Sequence, residues 1–346
     1  MSSGTFTPVG VAVFGVSTPF AYWGFNLVCR VVEAIAGATL HLHITSLEQL
    51  REGFARRNGG SVVLTSDFPD ATLARFVCSS ELPLIAFSDD LGDTLDWGMT
   101  SRGLGAVEAA RLSVRVISAL ALPFSSNRTL LIAGNRHESP ERIATAVIEH
   151  LFPGRGDWLA SRTFDYLTDS GQIARDITVD RGGYRTAEYE SPTSAKLREE
   201  MKRTVNEYSD LMAGCWPQEI EWPLEMFTRP DNRAIRDPVD LTGPARALFY
   251  GPYLNLPVGD WIARVEFEID GALSGVEALA DVRVNEAVTE KSFEMPAKGI
   301  FAYELSFHVA DPHHPIEIRL FTKKSAIEGV FLPRSVKVRP QRSAPA

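Results

Sequence analysis

The hydrophobic period of this chain changes once, and that change restricts the fold more than any single motif does. Up to about residue 214, short apolar runs rich in β-branched residues alternate with longer stretches of helical period. Residues 9–14, 40–44, 62–65, 82–87 and 129–133 read as buried strands. Helices are expected at 25–36, from Ser46 through Phe54 to Arg57, at 71–78, at 104–120 and at 140–151, with Ser46 and Gln49 forming a capping box. Such alternation describes a mostly parallel sheet covered on both faces, so residues 1–216 are expected to form a doubly wound α/β domain. A further helix at 194–213 carries Leu197, Met201, Val205, Tyr208 and Met212 on one stripe. Pro217, Pro223 and Pro230 then mark a stiff linker over 217–240. Beyond it the period becomes two. Trp261, Ala263, Val265, Phe267 and Ile269 share one face, opposite Arg264, Glu266 and Glu268. Residues 303–309 and 316–320 repeat the pattern, which predicts an antiparallel, jelly-roll-like β-sandwich over 241–340 and a tail at 341–346.

Composition agrees with two domains. At roughly 100–200 residues per domain, 346 residues make two, each able to bury a core. A content of 45% hydrophobic and 23% charged residues excludes extensive disorder, collagen and a membrane bundle. The net charge of −9 argues against a nucleic-acid partner. The first lysine is Lys196, which removes any mechanism that needs an N-terminal catalytic or phosphate-gripping lysine. Cys29, Cys78 and Cys215 are far apart and lack CxxC spacing, so neither a disulfide framework nor a zinc site is expected. No basic residue precedes the first apolar run, as a signal peptide would require. Ser17-Thr18-Pro19, Arg30 and Glu33 interrupt the apolar N-terminal stretch, so no membrane span is expected there and the reading is cytoplasmic.

In an open parallel sheet, ligands bind beyond the carboxyl ends of the strands. The first such end, residues 15–24, is expected to be a loop filled by Pro19, Phe20, Tyr22 and Trp23, with a ligand loop as the alternative. It has no Gly-Lys-Ser/Thr ending, and no charged residue occurs from Met1 to Cys29. At the second end, Asp67 or Asp70 would cap the helix at 71–78, with a general base or a metal ligand as the alternative. At the third, Asp89, Asp90, Asp93 and Asp96 read as a solvated acidic loop, with a cation site as the alternative. At the fourth, Arg136 and His137 fall in a helix-entry turn. No Gly-x-Ser-x-Gly, His-Glu-x-x-His or strand-borne Gly-x-Gly-x-x-Gly occurs.

The element order of residues 9–214 resembles the sulfotransferase family, a P-loop-like α/β fold that uses 3′-phosphoadenosine 5′-phosphosulfate. Gly15 and Trp23 match the family's donor loop, with Ser17 and Tyr22 inside it. Its basic residue falls on Thr18, and its small Ser-Gly pair falls on Pro19-Phe20. Thr65 matches the strand end that precedes the family's catalytic His, which is Ser66 here. Asp89 matches the 3′-phosphate segment, whose Arg is Ser88 here. Two missing charge-assisted phosphate bonds, each on the order of 1.5–3 kcal/mol, correspond to several decades of donor affinity. The resemblance therefore implies a degenerate, non-catalytic domain with no catalytic residue and no cofactor. The alternative is an active glycan sulfotransferase or other nucleotide-donor transferase that grips phosphate with Arg102, Arg111 or Arg136.

The second domain resembles galactose-binding-like and carbohydrate-binding sandwiches through Tyr250-Gly251-Pro252-Tyr253, residues 256–261 and residues 315–320. That resemblance implies a glycan or polysaccharide partner. The candidates are Tyr253, Arg264, Glu266, His308 and Arg319, against a plainer reading in which Tyr253 packs the turn and the charges form a solvated face. His313-His314 reads as a turn, with no further metal ligand near in sequence. The functional expectation is a sulfotransferase-like, non-catalytic protein of surface-polysaccharide biosynthesis or recognition. A scaffold whose sandwich binds a protein partner is the second alternative.

Overall fold

The computed structural model describes residues 9–341, apart from 56–59, 135–138, 155–162, 166, 170, 172–191, 231–234, 236 and 274. The chain divides into two compact units. One comprises Met1–Gly105, Ala119–Ser191 and Leu211–Cys215; the other comprises Ala106–Ser118, Pro192–Asp210 and Trp216–Ala346. Among the described residues, no helix is long and apolar enough to cross a membrane.

The first unit is built on five parallel strands: β1 (Gly10–Gly15), β2 (Thr39–His43), β3 (Ser61–Ser66), β4 (Leu84–Ser88) and β5 (Thr129–Ala133). Their spatial order is β2-β3-β1-β4-β5. The helices are α1 (Pro19–Ala36), α2 (Leu47–Ala55), α3 (Ala71–Ser79), α4 (Leu91–Arg102), α5 (Ala106–Ser125) and α6 (Pro140–Leu151), with α5 contributing to both units. Every strand expected from the sequence is present. The order has a chemical consequence. The β1→β2 and β3→β4 crossovers run in opposite directions, so right-handed connections put their helices on opposite faces. On one face, α1 and α6 pack with Val11, Val13, Val63, Ile85, Phe87 and Ile132 in a single core. The gap between the carboxyl ends of β1 and β3 is thus the topological switch point, where a ligand crevice opens in folds of this kind.

Two local expectations are corrected. The stretch 15–24 is not a loop, because α1 begins at Pro19 and only three residues separate it from β1. Pro19 takes the first helical turn, where its missing N–H costs nothing, and the extended Thr18 caps that turn with its hydroxyl. Phe20, Tyr22 and Trp23 are helical residues, and Phe20, Phe25, Leu27, Val28, Val31 and Val32 of the same helix are buried. The acidic run after β4 is likewise not a solvated loop. Asp90 caps α4 through Gly92 N (2.8 Å) and Asp93 N (3.2 Å), and Asp96 is buried within that helix.

The second unit holds two antiparallel sheets. β8 (Ala247–Leu254), β10 (Glu277–Val284), β11 (Ala287–Glu294) and β13 (Ile316–Thr322) form one, in the order β11-β10-β13-β8. β6 (Ile220–Trp222), β9 (Gly259–Asp270), β12 (Gly299–Val309) and β14 (Val330–Pro340) form the other, in the order β12-β9-β14-β6, and β7 (Val239–Asp240) pairs with β14. Two of these strands lie in the stretch expected as a linker. Helices α7 (Pro192–Asn206) and α8 (Ser209–Met212) occupy the span expected as one helix. In α7 and just after it, Met201, Val205 and Tyr208 are buried, and the Tyr208 hydroxyl accepts from Trp222 Nε1 at 3.0 Å. The period-2 faces are as expected: Trp261, Ala263, Val265, Phe267 and Ile269 are buried, as are Ile316, Ile318 and Leu320. Aromatic rings join the sheets. Phe249 of β8 stacks on Phe331 of β14 at 5.8 Å, and Phe293 of β11 meets Tyr303 of β12 at 5.5 Å.

Close packing of α1 on the sheet depends on Gly24, where a Cβ would lie 2.4 Å from the ring of the fully buried Phe87. Gly24→Ala is therefore expected to lower stability by about 1–3 kcal/mol in urea denaturation, although alanine is the better helix former. An unchanged or raised midpoint would contradict this packing.

Candidate functional site

The switch-point crevice of the first unit holds a carboxylate. Asp67 follows β3 and is almost fully buried. Ser17, just after β1, donates its hydroxyl to Asp67 Oδ2 at 2.8 Å, and Tyr22 of α1 donates its phenol to the same oxygen at 2.7 Å. His43, the last residue of β2, brings Nε2 to 3.4 Å from Oδ1. Its Nδ1 lies 3.1 Å from the Thr65 hydroxyl. Strand pairing makes this arrangement possible, since His43 is the parallel partner of Thr65, which puts both side chains on the face of α1. The Phe25 ring of α1 stands 6.3 Å from the imidazole.

Electrostatics follow from the geometry. Burial alone would raise the Asp67 pKa, but the hydrogen bonds from His43, Tyr22 and Ser17 outweigh it and bring it from the ordinary 3.8 to about 2. Burial, with the bond to Asp67, pushes the Tyr22 phenol up to about 12. The Asp67 hydrogen bond raises His43 against a smaller burial effect. Asp67 is consequently ionised across the physiological range. A phosphate or sulfate oxygen brought within about 4 Å of it would meet repulsion on the order of 4 kcal/mol at an effective dielectric near 20. The amino end of α1 offers little in return. Pro19 has no N–H, Ala21 N is bonded to Thr18 Oγ1 at 3.3 Å, and Tyr22 N is bonded to Thr18 O at 3.1 Å.

Of the donor-loop positions read from the sequence, Ser17, Tyr22 and Thr65 meet in this network, and the others do not. Gly15 makes the tight turn: a Cβ there would lie 2.7 Å from Ala21 Cβ and 3.1 Å from the Phe87 carbonyl. Thr18 is the helix cap, and Trp23 stacks on Phe20 at 6.1 Å. Ser66 is buried at the end of β3, and Ser88 ends β4, where its carbonyl accepts from Gly134 N at 2.8 Å. Asp89 accepts from Asp90 N at 3.0 Å. The helix cap expected at either Asp67 or Asp70 belongs to Asp70, which accepts from Leu73 N at 2.6 Å. Among the alternative arginines, Arg102 ends α4, and its charge opposes the upward shift of Tyr22. Arg111 lies in the second unit, held by the Pro252 carbonyl at 3.1 Å and stacked over Tyr253 at 5.3 Å. Arg136 and His137 lie outside the described residues. The sequence offers Asp67 as a helix cap, general base or metal ligand but does not single out His43, whose position at the carboxyl end of a strand is the available signal.

The sandwich candidates are dispersed. The Tyr253 hydroxyl donates to Glu317 at 2.7 Å, while one face of its ring carries Arg111. Arg319 forms a two-bonded pair with Asp281 (2.8 and 2.6 Å) and lies over Phe321. Arg264 faces Glu304 at 3.5 Å and Glu266 at 3.9 Å on an exposed surface. His308 is set apart from these. Its Nδ1 is 2.8 Å from Asp260 Oδ1, and it lines a cleft of about 390 Å³.

No family model matches this chain, and no curated protein does. Among solved structures, it is similar to mouse sulfotransferase SULT7A1 complexed with PAP, at 11% identity and a TM-score of 0.34, over 58% of this chain and 88% of that one. It is also similar to a family 16 carbohydrate-binding module, at 11% identity and a TM-score of 0.23, over 37% of this chain and 91% of that one. The xylan-binding module CBM15 is 9% identical with a TM-score of 0.26, over 36% of this chain and 98% of that one. These likenesses are to sulfotransferase and carbohydrate-binding folds.

The depressed Asp67 pKa has a stability consequence. Its contribution is complete above the unfolded value near 3.8 and is lost as pH falls toward 2, amounting to about 2 kcal/mol for a shift of this size. Asp67→Asn is expected to lower stability at pH 7 by about 2 kcal/mol and to flatten the decline between pH 4 and 2. Equilibrium denaturation across that range checks it, and parallel acid limbs for the two proteins would contradict it.

Proposed function

We propose that this protein is non-catalytic, with a sulfotransferase-like α/β domain, and that its sandwich binds a glycan in surface-polysaccharide biosynthesis or recognition. The observation that carries the first half is Asp67. A donor site of phosphate and sulfate requires positive charge at the switch point, and this chain has a buried, ionised carboxylate there. The groups that would perform proton transfer are spent on one another. The Ser17 hydroxyl and the Tyr22 phenol both point at Asp67, and both His43 nitrogens have partners. A carboxylate with a pKa of about 2 is also a weak general base at neutral pH. The second half is supported by a sandwich with an open cleft, whose volume of about 390 Å³ falls in the range of roughly 300–1,000 Å³ common to small-molecule sites.

Titration calorimetry of the whole protein with 3′-phosphoadenosine 5′-phosphosulfate and with its bisphosphate product tests the first half. No saturable heat is expected up to millimolar nucleotide. Micromolar binding, or sulfate transfer to any glycan, would sink the non-catalytic reading. A glycan array probed with the full chain tests the second half. Binding to at least one glycan class is expected, and complete silence removes the glycan reading and favours a protein-binding scaffold.

A further inference from the structure

The cleft lies where the two sheets of the sandwich meet at their open edge, between β11 and β12, which end their respective sheets. Its floor is apolar: Val282 and Val284 come from the inner face of β10, and Phe307 comes from the inner face of β12. Its rim is acidic. Glu286 projects from the two-residue turn of the β10–β11 hairpin, where Val284 pairs with Ala287 and Asn285 takes the left-handed conformation at φ 54°. Asp311 comes from the β12–β13 connection, accepts from His313 N at 2.9 Å and lies 3.9 Å from His314. Glu286 is exposed and has no hydrogen-bond or ion-pair partner among the described residues. No lysine or arginine lines the cleft.

These features select a ligand by charge. With no lysine or arginine in the lining, the carboxylates of Glu286 and of Asp311, the latter 3.9 Å from His314, disfavour sulfated, phosphorylated or uronic sugars and favour a cation. The apolar floor suits the flat face of a pyranose ring rather than a bare metal ion, and among the described residues no group of three metal-ligating side chains occurs. His308 Nδ1 faces Asp260, which leaves Nε2 as the ring nitrogen available to a sugar hydroxyl. We propose that this cleft binds an amine-bearing sugar residue, a hexosamine with its ring on the Val282–Val284–Phe307 floor and its ammonium between Glu286 and Asp311. The inference rests on the glycan reading above and deepens it by naming the sugar class and the site.

The test uses the full-length protein and three probes: a chitosan trisaccharide, its fully N-acetylated counterpart and a trigalacturonate. One ammonium–carboxylate contact corresponds to about tenfold to a hundredfold in affinity. The chitosan trimer is accordingly expected to bind at least tenfold tighter than the acetylated one, with no saturable binding of the acidic trimer. Glu286→Gln should remove most of that preference. Ala310→Arg, at an exposed position on the cleft wall, should abolish binding of the chitosan trimer. Circular dichroism verifies that both variants fold. Equal binding of the acidic trimer overturns the inference, as does an amine preference that survives both variants. Failure of the chitosan trimer to bind a protein that does bind glycans on the array overturns the inference alone. Silence on the array as well overturns the glycan reading with it.

Discussion

A single carboxylate ties together the carboxyl ends of three strands. Ser17, Tyr22 and His43 converge on Asp67 and favour its charged form, from the turn after β1, from α1 and from β2 respectively. Each donor is in turn held by its own element. Ser17 sits in a three-residue turn that Gly15 makes short, Tyr22 lies in the first turn of a helix capped by Thr18, and His43 is paired in register with Thr65. Removing the carboxylate would leave a buried hydroxyl and a phenol without their acceptor, so the shape of the crevice and its charge are one constraint. A crevice built around an anion has little means of becoming an anion site by a small movement.

The sandwich is held by a different kind of interaction. Its two sheets meet through rings, with Phe249 on Phe331 and Phe293 on Tyr303, and with Phe267 6.3 Å from Phe293. These contacts are non-directional compared with the Asp67 network, and they fill volume rather than fix protons. A polar exception is the Arg319–Asp281 pair, whose carboxylate is almost wholly buried on the outward face of β10. That pair and the Tyr253–Glu317 bond occupy side chains whose composition alone suggested sugar contacts.

The fold was more legible in the sequence than the site was, for a physical reason. Burial is written into periodicity, and residues 261–269 announce their buried face directly. The β10–β11 hairpin was harder to read, because Ala278 and Ala280 on its inner face contrast weakly with Leu279 outside. The start of α1 was misread because Ser-Thr-Pro resembles a chain breaker, whereas Thr18 as cap and Pro19 in the first turn make it a helix start. The site depends on residues up to fifty positions apart, such as Ser17 and Asp67, which only the strand order brings together. Of the glycan candidates, His308 alone lines the cleft, and Glu286 on the same rim is hard to single out because one acidic residue in a turn looks like any solvated charge.

The open edge beside that cleft bears on how the chain behaves among its own copies. β11 pairs with β10 on one side, and among the described residues no strand pairs with its other backbone edge. An unpaired edge is a template for adding a foreign strand, and proteins blunt such edges with charge. Glu290, Lys291 and Glu294 stand exposed along β11. Docking another strand would strip water from these charges. The feature that keeps the cleft accessible to a small ligand therefore also guards the sandwich against edge-to-edge association.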